Sequence, residues 1–269
     1  MKRTNDAFIL KEPSCISFSG GRTSAYMLWR FIDANNGLPD DCIVTFANTG
    51  KEMEHTLNFV KDCEKNWGVP IVWLQYKKAE KVKDRFEVVD FDTAARDGEP
   101  FTAMIEDKNY LPNVFARFCT SELKVLPIER YMHSIGFDEF QTAVGIRADE
   151  PRRVAKMRSK EDYLVPLADD GTTEATIAEF WRAQPFDLQI PNFAGFSNCD
   201  LCFLKKAKDK QLIIKHSPDR ALWWANHEER IGASFRPDHP SYIQMYNMRD
   251  EQADMFGSDE STIACFCGD

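Results

Sequence analysis

No apolar run in the chain approaches the roughly 20 residues needed to span a bilayer. The opening residues, Met1-Lys2-Arg3-Thr4-Asn5-Asp6, lack the long apolar core of a secretion signal. A cytoplasmic location with no membrane partner is therefore expected. Positive charge is scarce: 34 Lys and Arg face 43 Asp and Glu, for a net charge of -9. That balance argues against general attraction to nucleic acid, although a local basic patch can still provide it. Internal repeats and low-complexity tracts are absent. What remains is an ordinary globular composition, 43% hydrophobic and 12% aromatic, over 269 residues. This length suits one large α/β domain, or such a domain with a smaller appendage.

The chain does have eight cysteines. In a reducing compartment these read as thiols or metal ligands, not disulfides. It also has one unusual turn, Ser17-Phe18-Ser19-Gly20-Gly21-Arg22-Thr23-Ser24, between an apolar run beginning at Cys15 and a helical pattern from Thr23. Two glycines among small hydroxyl residues let the backbone turn tightly and expose several N–H groups. The following helix adds the positive end of its dipole, so the stretch reads as a phosphate cradle. It has neither the Lys of a Walker loop nor the third glycine of a dinucleotide fingerprint. An ordinary strand-to-helix turn is the alternative, but it needs only one glycine and no hydroxyl cluster.

The apolar runs Cys42–Ala47 and Ile71–Leu74 predict further buried parallel strands, with a helix marked by Leu57, Val60 and Trp67 between them. A fourth strand is expected over Phe140–Ile146 and an edge-like fifth over Tyr163–Leu167, where Pro166 cannot donate to a ladder. Helices are expected from Glu122 to Tyr131 and from Thr173 to Trp181. Lys77–Asn113 has no strand pattern and reads as a long loop with a short helix, or as a solvated insertion. The order predicts a parallel, doubly wound, Rossmann-like α/β sheet of about five strands with flanking helices. The expected division is a nucleotide-binding domain over 1–190 and a cysteine-rich, mainly helical region over 191–269.

Ligands of such sheets bind outside the carboxyl ends of the strands. Both Ser17–Ser24 and Asn48-Thr49-Gly50-Lys51-Glu52 leave strands at that end, although the second also suits a turn with an N-cap. Arg147, Arg152 and Arg153 follow the fourth strand. They form either a solvated charge run or a set of forks onto phosphate or sulfate oxygens.

Cys199-Asp200-Leu201-Cys202 has the two-residue gap that lets both sulfurs reach one metal or cluster. A redox pair is the other reading. Cys119, Cys265 and Cys267 are candidate further ligands, and zinc and an iron–sulfur cluster both satisfy the spacing. Cys15, Cys42 and Cys63 fall in strand or helix patterns and read as core. Cys267, next to Gly268 at the chain end, suits a nucleophile on a mobile tail, a metal ligand or an incidental residue.

Together these motifs resemble a known family. Ser17–Ser24 is similar to the Ser-Gly-Gly-x-x-Ser PP-loop of the adenine-nucleotide alpha hydrolase superfamily. Asn48–Glu52 and Gly145-Ile146-Arg147-Ala148-Asp149-Glu150 resemble the second and third motifs of its phosphoadenosine phosphosulfate (PAPS) reductase family. The resemblance implies an adenine nucleotide held by Ser17, Ser19, Gly20, Gly21, Arg22, Thr23, Ser24, Asn48, Thr49, Gly50, Glu52, Gly145, Arg147, Arg152 and Arg153. It implies a [4Fe-4S] cluster, with zinc as the alternative, on Cys119, Cys199 and Cys202, either with one iron left open or with a fourth ligand from Cys265 or Cys267. The chain departs from the family pattern at Phe118-Cys119, a single cysteine where iron–sulfur members carry a pair, and at Cys267-Gly268-Asp269, which lacks the family's terminal histidine.

The first functional expectation is reduction of a sulfonucleotide to sulfite, with Cys267 attacking sulfur, Arg147 and Lys51 as catalytic cations and a thiol as electron donor. The second is an ATP pyrophosphatase-type transferase that uses Mg-ATP to adenylate an acceptor for sulfur insertion from a sulfur donor. Nucleic acid enters as a partner only under this second reading, in tRNA thiolation or DNA phosphorothioation. The third is a non-catalytic nucleotide-binding protein with a structural metal.

Overall fold

The computed structural model describes residues 6–189 and 199–250. Six strands form one sheet: β1 Ser14–Ser17, β2 Cys42–Asn48, β3 Ile71–Gln75, β4 Glu87–Val89, β5 Gln141–Val144 and β6 Tyr163–Leu164. Their spatial order is β4-β3-β2-β1-β5-β6, with every pairing parallel except β3 with β4. The helices are α1 Arg22–Asn35, α2 Glu54–Trp67, α3 Glu99–Lys108, α4 Phe118–Thr120, α5 Leu126–Ser134, α6 Pro151–Arg158, α7 Pro166–Asp169, α8 Glu174–Arg182, α9 Ala207–His216, α10 Asp219–Ile231 and α11 Tyr242–Asn247. The architecture is the α/β one expected, with one more strand. None of these helices is long and apolar enough to cross a membrane.

β4 escaped the sequence pattern because it is three residues long and lies at the sheet edge. Val88 is 56% exposed there, so no alternation of buried and solvated residues marks it. The fifth expected strand is shorter than its apolar run. It stops at Leu164, and Pro166 opens the short helix α7, where a missing N–H costs nothing. The charged stretch Lys77–Asn113 supplies both β4 and α3.

One face of the sheet is covered by α1, α2 and α8, whose Tyr26, Leu28, Phe31, Leu57, Phe59, Val60 and Trp181 share a core with Ile16, Val44 and Phe46. On the other face Ile128 and Met132 of α5 pack against Cys15, Ala47 and Leu74. At the base of α1, Arg30 and Asp170 form a buried ion pair, 2.9 Å from Nη1 to Oδ2. The C-terminal helices do not stand apart. Trp224, Phe235, Tyr242 and Met245 share a core with Phe101, Met104 and Ile105 of α3, and with Leu123.

The chain passes from β1 through α1 to β2 on one side, and later places β5 on the other side of β1. Strand order therefore reverses between β1 and β5, and at such a switch point a crevice opens outside the strand ends.

Candidate functional site

Two glycines shape the cradle at the switch point. Gly20 has φ +81, and a Cβ there would stand 2.7 Å from Thr56 Cγ2, so no other residue fits without displacement. Gly145, leaving β5, lies flat against the start of α1, where a Cβ would meet Ser24 Cα at 3.0 Å. Ser24 Oγ donates to Gly21 O (3.1 Å) and accepts from Ser19 N (3.2 Å), which leaves Ser19 Oγ to donate to it at 2.9 Å. No side chain caps the first N–H groups of α1. Those groups and the helix dipole face the crevice.

A pocket opens in this crevice. Ser17, Ser19 and Gly145 line it with Ile128, Arg153 and Lys124. Arg153 is held by Glu150, one turn away. Arg147 is aligned beside the cradle by Asp149 (2.9 Å) and reaches Thr23 Oγ1 at 3.5 Å. Arg22 instead spends its fork on Asp187, with Nε and Nη2 donating to the two carboxylate oxygens at 2.7 and 2.6 Å. Arg152 stands outside the cavity, on its neighbouring groove.

The Asn48–Glu52 loop organises itself and turns toward the cysteines. Asn48 donates to Gln75 Oε1 and Ala95 O, and its own oxygen accepts from Gly50 N. Buried Glu52 accepts from Thr49 N at 2.9 Å and from Thr49 Oγ1. Burial raises the Glu52 pKa, while Lys124 and the Thr49 hydrogen bonds oppose the rise. Lys51 is also buried, 3.2 Å from Asp200 Oδ2, so it serves the C-terminal segment and not the cradle.

The backbone carries this join further. Asp200 N donates to Lys51 O at 2.7 Å, and Glu52 and Cys199 form an antiparallel bridge. Cys199 Sγ lies 3.8 Å from Thr49 Oγ1, whose proton goes to Glu52, so the thiol is the donor of that weak bond. Asp200 is fully buried, pairs with Arg220 at 3.1 Å and accepts from Trp224 Nε1 at 3.0 Å.

Cys119, Cys199 and Cys202, distant in sequence, line a single small cavity walled by Phe101, Leu123 and Trp224. Among the described residues no three His, Cys, Asp or Glu side chains are placed to hold one metal ion. The donor set still matches a cluster in chemistry, because cluster thiolates bind different irons and need not converge on one point. Lys205 is buried in the same segment, three residues after Cys202. Its pKa is lowered by burial and pulled back up by Cys202 and Cys199. Cys265 and Cys267 lie outside the described residues. The other three cysteines are core, as expected: burial raises Cys15 and Cys42 to about 12, and Cys63 higher still, which leaves them inert.

Lys124 was not singled out by sequence, yet it lines both the switch-point cavity and the cysteine cavity, 4.0 Å from Glu52. It sits in a π-helical turn, Ser121–Val125, between α4 and α5. Pro127 explains the turn: it has no N–H for the Leu123 carbonyl, so the helix opens by one residue. Pro127, inside the helical pattern three residues after Lys124, was the available signal.

No family model matches the chain. It is 36% identical over 230 residues to an uncharacterized nin region protein, ORF290, of Escherichia phage lambda, covering 83% of this chain and 76% of that one. It is 30% identical over 228 residues to an uncharacterized protein of Methanocaldococcus jannaschii, covering 81% of this chain and 42% of that protein.

Proposed function

The chain belongs to the family of the phage lambda nin region protein ORF290, and from its own residues we propose that it is an adenine-nucleotide-dependent sulfur-transfer enzyme. The observation that carries this reading is Lys124, which joins a phosphate-type cradle to a cavity lined by three cysteines. The phosphates of Mg-ATP rest on Ser17–Ser24. An acceptor oxygen attacks the α-phosphorus, the bond to the β-phosphate bridging oxygen breaks, and pyrophosphate leaves. Hydrosulfide then adds to the activated carbon and expels AMP, so a carbon–oxygen bond is exchanged for carbon–sulfur. Lys124, and Arg153 on the same wall, offset the charge that develops on the departing phosphates.

Cys119, Cys199 and Cys202 would hold a [4Fe-4S] cluster, which when bound supplies an iron site for sulfur.

Reduction of a sulfonucleotide is the second reading, favoured by Arg147 and Arg153 beside Gly145, which suit a sulfate or phosphate group. Product analysis under anaerobic conditions separates the two. With ATP and sulfide, AMP and pyrophosphate should accumulate in equal amounts once an acceptor is present. With a phosphosulfate nucleotide and a dithiol, sulfite release that is abolished by Cys267→Ser would replace the transfer reading with the reductase.

A further inference from the structure

Beside the nucleotide cavity, and sharing Val125, Ile146 and Arg153 with it, runs an open groove. Its charged lining consists of five cations, Arg117, Arg152, Arg153, Lys156 and Lys160, with no Asp or Glu. In a chain of net charge -9 this is a marked local inversion of sign. Arg152 and Lys156 are exposed one turn apart on α6, about 6 Å along the axis. Lys160 extends the row, its ammonium 4.4 Å from the centre of the Tyr163 ring. Thr120 and Ser121 add hydroxyls between the cations.

A second, independent feature lies two residues before Arg117 of the groove in the chain. Phe115 is 97% exposed, far more than any other large apolar residue described. A preformed turn presents it: Phe115 N and Ala116 N both donate to Asn113 Oδ1 at 3.0 Å, and Asn113 N donates to Ala116 O at 3.1 Å. Tyr110, whose hydroxyl accepts from Asn113 Nδ2, is 49% exposed nearby.

We propose that this groove seats an unpaired segment of nucleic acid. The phosphates would lie along Arg152, Lys156 and Lys160, with one base stacked on Phe115. Rows of cations neutralise a phosphate backbone, and an exposed aromatic accepts the face of any unstacked base. An acidic protein would satisfy the cations but has no use for a solvated phenyl ring on a rigid turn. The groove opens into the nucleotide cavity, so a strand lying in it delivers a base to the activated phosphate. As the acceptor in sulfur transfer, the strand rests on the function proposed above; its binding does not.

The test is fluorescence anisotropy of labelled 20-nucleotide single-stranded RNA and DNA over a salt series. The wild-type chain should bind, and the tighter of the two arms identifies the strand. Lys156→Glu with Lys160→Glu should weaken binding at least tenfold at low salt and flatten the log–log salt slope by about 1.4. Phe115→Ala should weaken it roughly 5- to 100-fold with the slope unchanged. All three positions are exposed, and thermal melts of the variants should match wild type. Unchanged binding in the charge-reversed chain, or equal competition by polyglutamate, would overturn the proposal, the latter in favour of an acidic protein partner. ATP calorimetry on the same samples keeps the two proposals apart. A chain that binds oligonucleotides in this way without binding ATP retains the groove and loses the nucleotide reading.

Discussion

Replacing Asp200 with alanine should lower stability by about 3–5 kcal/mol, because it leaves the Lys51 ammonium buried and unpaired. The carboxylate is wholly buried and receives Lys51, Arg220 and the Trp224 indole N–H together. Losing it removes the desolvated partner of Lys51 but not the desolvation. In a chain of this size the loss corresponds to a midpoint roughly 10 °C lower in a thermal melt. Asp200→Asn keeps an acceptor for Trp224 and should fall between the alanine variant and wild type. Asp169→Ala, which breaks a half-exposed pair with Arg158, should cost under about 1 kcal/mol and serves as the control. Equal losses for Asp200 and Asp169 would mean that Lys51 is not held as described. The effect extends to the site, because Asp200 lies between Cys199 and Cys202 and its N–H is bonded to Lys51 O.

Lys124→Met should reduce turnover by about 10²–10³ while leaving a cooperatively folded protein, the scale expected when one preorganised charge facing a developing anion is removed. The residue borders both cavities, so the change acts between them without touching the Ser17–Ser24 turn or the thiols. Some stability is lost as well, since Glu52 is left buried with its nearby cation gone. Lys124→Arg distinguishes the two effects. It restores positive charge near Glu52, and should recover the melting temperature fully and turnover in part. A methionine variant with wild-type turnover would remove Lys124 from the chemistry.

Much of this arrangement is legible in the sequence because local chemistry determines it. Gly20 and Ser24 sit where a strand must turn into a helix, and the apolar runs at Cys42 and Ile71 are long enough to be buried on both faces. The core assignment of Cys15, Cys42 and Cys63 followed from the same periodicity. β4 was hidden because an edge strand of three residues has no buried face to alternate. Lys51 and Arg22 sit within stretches that read as phosphate-binding motifs, yet the structure pairs them with Asp200 and Asp187, partners more than 140 positions away that no local pattern announces. Lys124 was missed for a related reason. Its position depends on a helix irregularity caused by Pro127, which a regular 3.6-residue period cannot express. The cavity shared by Cys119 and the Cys199–Cys202 pair depends on the C-terminal helices packing on α3, a long-range contact between two separately plausible amphipathic patterns.

The central claim, an adenine nucleotide with its phosphates on Ser17–Ser24, is tested most directly by calorimetry of Mg-ATP binding to the wild-type chain and to Gly21→Asp. Gly21 is the N-cap of α1 with an extended backbone (φ -105, ψ 167), a position where aspartate is a favoured residue. The fold should therefore survive, and only the charge facing the phosphates changes. At a separation near 4 Å and an effective dielectric of about 20, that repulsion is worth roughly 4 kcal/mol. Wild-type binding reduced at least about 100-fold in the variant, with an unchanged thermal melt, is the expected result. Binding of equal strength to both chains, or none to wild type, would contradict the account.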